Sequence, residues 1–536
     1  MNPAPRRRCA VSGRRATART ASPEASNEGQ PARFLRFAAV VRSTPKIDNG
    51  SGEDRGMNRL EKIPLLTFLL AASCSSSRND KSGRSNHESQ SSATADADGE
   101  EAAATQHPTR KAVAPRITRP NVVFVVIDTV RPDFLGMYGA KNEIAPFLGT
   151  MAKKSAVFEN AFSTSSWTAP ATASIFTGLY PPEHSVVQGF RAHRAWVAKL
   201  EKEGSAEFEV NQMPTDMRTL PEIFKQAGYR TFGLAANINI GEAIGFNRGF
   251  DTFYKDVKAP AETMYDKVAE LRPKIVGNGP FFLYLHFNDA HNPYNKRDPY
   301  YQASSDPEED ARARYRSEIS YLDGFLKKVW QLEGISQNTV LAVVSDHGEE
   351  FWEHGDAEHG PTLYIELNHV VMMLYGPETG LKPTRISENV SLIDIVPTLA
   401  SLIGAQLKTD RAGVSLMPLL AQNSSAEALR KQLRDRCLFA HRMFSTIRNA
   451  AVWSATCGPL KLIDWWGDRN KLFDHRTDPG EHRDISDEHA ETTAQLSSRL
   501  ENFKKRMSGR ERSTSTTEIA LDKTLVERLK TLGYVE

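Results

Sequence analysis

Cysteine is scarce in this chain: Cys9, Cys74, Cys437 and Cys457 are the four in 536 residues. So few, so scattered, cannot make a disulfide scaffold or a zinc finger. Cys437 and Cys457 are the one pair placed for a local bridge in an oxidising compartment, with two buried free thiols as the alternative. An excess of one sign of charge is also missing, since 68 Lys and Arg oppose 66 Asp and Glu. The distribution is uneven: residues 1–56 hold 11 basic against 5 acidic side chains, leaving 57 against 61 from Met57 onward. A folded part without a concentrated basic face excludes nucleic acid as the expected partner. The chain also lacks three catalytic signatures: the glycine-rich phosphate loop ending in Gly-Lys-Ser/Thr, the Gly-x-Ser-x-Gly nucleophile elbow and the His-Glu-x-x-His zinc helix.

With 40% hydrophobic and 25% charged residues, the composition is that of a folded globular protein rather than a multi-span membrane protein. Residues 1–56, rich in Arg, Ser, Ala and Gly without a sustained period, read as disordered or as a mis-assigned start. Residues 57–74 read differently. Met57 to Lys62 is a short charged segment, Ile63 to Ser73 an apolar stretch of signal-peptide length, and Cys74 follows small residues. Leu70-Ala71-Ala72-Ser73-Cys74 resembles a bacterial lipoprotein signal, which implies export to the periplasm or cell envelope and a membrane anchor at Cys74; an ordinary secretory signal and a buried helix of a cytoplasmic protein are the alternatives. Residues 75–120, without a single Phe, Trp or Tyr, cannot bury enough surface to fold and are expected to be a disordered tether.

From Asn121 the texture changes. Val122–Ile127, Thr231–Ala236, Phe281–His286, Val340–Ser345 and Val370–Tyr375 are continuous apolar runs, the pattern of strands buried on both faces. Helical patterns alternate with them, clearest at Tyr315, Ile319, Leu322, Leu326 and Val329, and again over Ser391–Gly404. The alternation predicts an α/β fold over 121–405: a doubly wound, mostly parallel sheet flanked by helices, with its site at the carboxyl ends of strands. Residues 406–536 are expected to form a smaller α+β subdomain with a short antiparallel sheet around Cys437–Ala440, Ala451–Trp453 and Leu460–Ile463.

Two strand ends carry carboxylates. Asp128 closes the first run, and Asp346-His347-Gly348 follows the run at 340–345. A carboxylate at a buried strand end needs a cation or a helix cap, and the repeated construction favours one shared divalent cation. Thr168 suits a helix N-cap, with Pro170 in the first turn; its hydroxyl would sit in positive potential beside free N–H groups, favourable to an alkoxide or an anionic ester. His286 and His291 bracket Asp289, and His354 and His359 bracket a second turn; these four histidines are the proton-transfer candidates.

Taken in order, Asn121 to Asp133, Ser166 to Pro181, Gly249-Phe250-Asp251, Phe287 to His291 and Ser345 to Glu349 resemble the sulfatase family of the alkaline phosphatase superfamily. The likeness extends to Leu472-Phe473-Asp474, Asp478-Pro479-Gly480-Glu481 and Leu529 to Tyr534. It implies an alkaline phosphatase-like fold, an anionic ester substrate and one divalent metal ion, with Ca, Mg or Mn suited to oxygen-rich ligands and Zn as the alternative. By position, Asp128, Thr168, Asp346 and His347 would hold the metal and Thr168 would be the nucleophile. His291 and His359 would contact the ester or protonate the leaving oxygen, with Asn237 beside them. Three positions depart from the family pattern. Sulfatases carry Cys or Ser where Thr168 stands, to be oxidised to formylglycine, an aldehyde that threonine cannot give. The usual Arg four residues later is Thr172, and the second Asp of the usual pair is Thr129. Threonine nucleophiles occur in phosphodiesterase and phosphoglycerol-transferase relatives. The expectation is therefore a metal-dependent hydrolase or transferase of phosphate mono- or diesters, against two alternatives: a sulfuric ester hydrolase working without formylglycine, and a catalytically silent anion-binding surface protein.

Overall fold

The computed structural model describes residues 119–190, 194–204, 206–407, 411–443, 451–465, 467, 469–510, 512 and 515–531. The leader, signal and anchor readings for residues 1–56 and 57–74, and nearly all of the tether at 75–120, lie outside the described residues.

Eight strands build the main sheet. In chain order they are β1 (Asn121–Ile127), β2 (Ala156–Phe158), β3 (Arg230–Ala235), β4 (Thr252–Lys255), β5 (Phe281–Phe287), β6 (Thr339–Val344), β7 (Met372–Tyr375) and β8 (Thr384–Ile386). Their spatial order is β8-β2-β7-β6-β1-β5-β3-β4. The central run β6-β1-β5-β3-β4 is parallel throughout. The predicted run Val370–Tyr375 needs one correction: it divides into a short His369–Val370 strand in a separate small sheet and β7, which runs antiparallel to β6 and β2. Hydrophobicity cannot reveal that reversal, because a strand buried on both faces is apolar in either direction.

The two sheet faces are covered by different helices. Val122, Phe124 and Val126 share an apolar cluster with Ile175 and Phe176 of α1 (Thr168–Thr177). Val123, Val125 and Ile127 pack instead with Val268 and Leu271 of α2 (Ala261–Ile275) and with Tyr315, Ile319 and Leu322 of α3 (Pro307–Gln331). The period of two along β1 thus divides the core into two layers. The predicted apolar face of α3 is the one buried.

A second sheet of four antiparallel strands follows: β9 (Cys437–Arg442), β10 (Val452–Cys457), β11 (Leu460–Trp465) and β12 (Arg469–Asp474). Leu496 and Leu500 of α4 (Ala490–Ser508) pack against it with Ala455, Leu462 and Leu472. Cys437 and Cys457 face each other in the β9–β10 ladder and are joined by a disulfide. Leu416, Leu420, Leu433 and Leu529, although late in the chain, pack in the first core cluster with the main sheet.

Candidate active site

Strand register brings the site together. Val126 of β1 lies beside His286 of β5 and Val344 of β6, and His286 lies beside Ala235 of β3. Two residues further along each strand direction stand Asp128, Asn288, Asp346 and Asn237. Four adjacent parallel strands therefore deliver two carboxylates and two amides to one level of one sheet face, and that face is the one α1 covers.

Thr168 completes the group. It is the first residue of α1; Trp167, extended at φ −159° and ψ 161°, takes the cap position and makes no side-chain capping bond. The predicted cap role of Thr168 is thus displaced by one residue. Its hydroxyl faces the strand ends instead, with Oγ1 at 3.3 Å from His347 Nε2 and 3.5 Å from Asp128 Oδ2. Asn237 Nδ2 donates to Asp128 Oδ2 at 2.6 Å and to Asn288 Oδ1 at 2.8 Å, and stands 3.5 Å from Thr168 Oγ1. Asp128, Thr168, Asp346 and His347 are all fully buried.

These residues fit a divalent cation. The Gly348 carbonyl can only accept, so His347 Nδ1, 2.9 Å away, carries the proton and Nε2 presents a lone pair. That nitrogen lies 3.4 Å from Asp128 Oδ1 and 3.6 Å from Asp346 Oδ2. Both of those carboxylate oxygens are buried without a hydrogen-bond partner among the described residues. Burial and then the neighbouring Asp346 carboxylate push Asp128 well above the ordinary carboxylate range. Buried like charges of this kind are costly unless a cation lies between them. His286, one pleat below, joins Asp128 and Asp346 within 4.8 Å, both ring nitrogens lacking a hydrogen-bond partner among the described residues. Burial, above all, lowers it to about 4, so it is a neutral imidazole at neutral pH.

The remaining histidines divide. His359 comes from a long turn after β6, yet its ring centre lies 4.5 Å from that of His347 and 4.8 Å from that of His291. His291 Nδ1 is 2.7 Å from the Asn292 carbonyl, which assigns that nitrogen the proton. Burial and then the nearby His359 hold His291 well below the usual histidine range. His354 points elsewhere: Nδ1 is 2.7 Å from Glu366 Oε1 and Nε2 3.1 Å from the Glu481 carbonyl. Asp289 also turns away, accepting the Ala261 N–H at 2.9 Å at the start of α2.

Three participants escaped the sequence reading. Asn288 orients Asn237. Glu349, fully buried and pushed up to about 8 mainly by burial, places Oε1 2.8 Å from His359 Nδ1. Arg442, from β9, lays its guanidinium 5.5 Å from the ring centre of Trp167, the residue before Thr168. The sequence signal for Glu349 was its place in Asp346-His347-Gly348-Glu349; Arg442 had none. At the departing positions, Thr129 adopts φ +61° and donates its hydroxyl to the Ala290 carbonyl at 2.8 Å, while the Thr172 hydroxyl is buried without a hydrogen-bond partner among the described residues.

The fold is of the alkaline phosphatase-like class. Sequence comparison then narrows the class: residues 120–405 match the sulfatase family, residues 360–506 match the C-terminal region of N-sulphoglucosamine sulphohydrolase, and the chain belongs to the sulfatase family. An arylsulfatase of Hemicentrotus pulcherrimus is 26% identical over 444 residues, covering 68% of this chain and 77% of the relative. A delta 4,5-hexuronate-2-O-sulfatase of Bacteroides thetaiotaomicron is 20% identical over 434 residues, covering 69% and 85%. Among solved structures, a phosphonate monoester hydrolase of Agrobacterium radiobacter superimposes with a TM-score of 0.58 at 17% identity, covering 73% of this chain and 96% of that one. The family is metal-dependent and its substrates are anionic esters.

Proposed function

We propose that this sulfatase-family hydrolase cleaves phosphate mono- or diesters, with Thr168 as nucleophile. The observation that carries the reading is the placement of Thr168 Oγ1, fully buried, at a helix N-terminus and within 3.5 Å of both Asp128 Oδ2 and His347 Nε2. Asp128, Asp346, His347 and Thr168 would hold one divalent ion, with Ca, Mg or Mn favoured by the oxygen-rich set. When bound, such an ion supplies charge neutralisation and lowers the pKa of a hydroxyl it touches.

In this reading, Thr168 Oγ1 passes its proton to Asp128 Oδ2, 3.5 Å away, and attacks phosphorus in line with the ester bond. That bond breaks, and the leaving oxygen takes a proton from His359, whose Nδ1 is held by Glu349. Asn237 fixes Asp128 through one amide proton while remaining close to the reacting oxygen. His291, neutral in its buried setting, then receives a proton from the water that attacks the threonyl-phosphate; as the bond from phosphorus to Thr168 Oγ1 breaks, Asp128 returns its proton to that oxygen, and the proton on His291 passes to His359, 4.8 Å away between ring centres, which resets the site. The N-terminus of α1, where Thr168 stands, would favour the developing negative charge. A threonyl-sulfate would be harder to discharge, which directs the chemistry to phosphorus.

The arylsulfatase relative supports a second reading, sulfuric ester hydrolysis without formylglycine. The two are separated by rates on matched nitrophenyl sulfate, phosphate monoester, phosphate diester and phosphonate substrates. Phosphorus-selective turnover that Thr168→Ala reduces by several orders of magnitude, with metal content retained, is expected. Sulfate-selective turnover would overturn the phosphate assignment, and undiminished turnover in Thr168→Ala would overturn the nucleophile. Export with a lipid anchor at Cys74 belongs to the same proposal; the Cys437–Cys457 bridge supports an oxidising compartment.

A further inference from the structure

Next to the catalytic histidines lies a cleft of about 420 Å³, within the size range of ligand sites. Asn292 and Glu358 form part of its lining and are the chain neighbours of His291 and His359; the Asn292 amide donates to the Glu358 carboxylate, so the cleft and the site share a wall. Tyr294 lines it too, with its hydroxyl facing Glu349, the residue that holds His359. The cleft therefore opens on the side where the foregoing proposal places the leaving oxygen.

Two features define what it accepts. Trp352 is 39% exposed on its rim, one of two large apolar side chains left exposed among the described residues. Its backbone sits at φ +65°, fixed by hydrogen bonds from Trp352 N–H to the Asp356 carbonyl at 2.8 Å and from Gly355 N–H to the Trp352 carbonyl at 3.2 Å. An aromatic residue in that region is strained, and a glycine would fit the turn better. The second feature is charge. The lining includes the carboxylates of Asp310, Glu350 and Glu358 but a single guanidinium, Arg314, which is bound to Asp310 at 2.8 Å. Such a wall repels a leaving group with further negative charge.

We infer that this cleft receives the leaving alcohol of the ester as an uncharged ring stacked on Trp352. The inference rests on the assignment of His291 and His359 to the leaving-group side, and it does not depend on whether the ester centre is phosphorus or sulfur. An aryl ring and a neutral pyranose both offer the required flat apolar face.

Binding of three probes to the full chain tests this without any turnover: benzyl alcohol, methyl β-glucoside and methyl β-glucuronide, each followed by saturation-transfer NMR. Transfer to benzyl alcohol marks an aryl leaving group, and transfer to the glucoside marks a glycan. Either signal should fall by about tenfold in Trp352→Ala and persist in Trp352→Phe, which keeps a stacking face and controls for folding. The glucuronide should give none. No Trp352-dependent transfer from either neutral probe, or equal transfer from the glucuronide and glucoside, would overturn the inference. Because no ester is present, the phosphate reading can fail in the rate panel while these signals remain.

Discussion

In the proposed reading Thr168 is the nucleophile, and because a threonine hydroxyl is a poor nucleophile in water its surroundings must do the activating. Around Thr168 Oγ1 the chain places the Asp128 carboxylate, the His347 lone pair and the Asn237 amide, and Asp346 stands beyond them 3.6 Å from His347 Nε2, an arrangement of two buried carboxylates that is unfavourable without a cation and well suited to one. Asp346→Asn removes one charge while keeping the shape. It should abolish stoichiometric metal by elemental analysis and reduce turnover with it, whereas Thr168→Ala should keep most of the metal. Equal metal content in wild type and Asp346→Asn would remove Asp346 from the ligand set. Asp128, Thr168, Asp346, His347 and His291 were legible in the sequence because each follows a buried strand or opens a helix, where a polar residue needs a reason. His359 was legible as a proton-transfer candidate, but only the family resemblance singled it out from His354, since nothing local indicates that a long turn brings it back to His347. His286 was visible as a histidine but not as a neighbour of the carboxylates, which depends on register.

At the scale of elements, the turn that carries His359 is clasped from outside. Glu481, in the Asp478 to Glu481 motif, is fully buried; it takes Lys461 Nζ at 3.0 Å, His475 Nε2 at 2.6 Å and the Ile365 N–H at 2.8 Å. Its carbonyl meets His354 Nε2, while His354 Nδ1 meets Glu366. Tyr364 stacks on the same imidazole at 3.6 Å, His482 lies 5.2 Å away and Glu350 adds a further negative charge. Burial opposes protonation of His354, but the Glu366 hydrogen bond and charge outweigh it, and its pKa is raised above 6.5. The clasp therefore contributes fully below about pH 6.5 and weakens as pH rises through the folded-state value. In urea unfolding, the stability gap between wild type and His354→Gln should shrink from about pH 5 to about pH 9. A gap that widens over that interval would contradict an imidazolium clasp. The apolar face of α3 and the buried runs were readable from periodicity, but this clasp was not: His354 and Ile365 meet Glu481 across 127 and 116 residues, through contacts that leave no period.

For the molecule as a whole, the α/β order was readable because strands buried on both faces are continuous apolar runs and helices carry a spaced stripe. The antiparallel insertion of β7 was not, nor was the way late residues such as Leu433 and Leu529 return to the first core. The Cys437–Cys457 bridge, left open by spacing, joins opposite residues of the small sheet. Reducing it should lower the stability of that sheet by about 3 kcal/mol in denaturant titration, and an unchanged midpoint would show that the bridge constrains nothing. The most direct test of the central claim is covalent trapping. The full chain, mixed with metal and a phosphate diester labelled at phosphorus and acid-quenched in the first turnover, should yield one labelled peptide with the phosphoryl group on Thr168, absent in Thr168→Ala. Turnover of the diester without label on Thr168, or with label on another residue, would contradict the account.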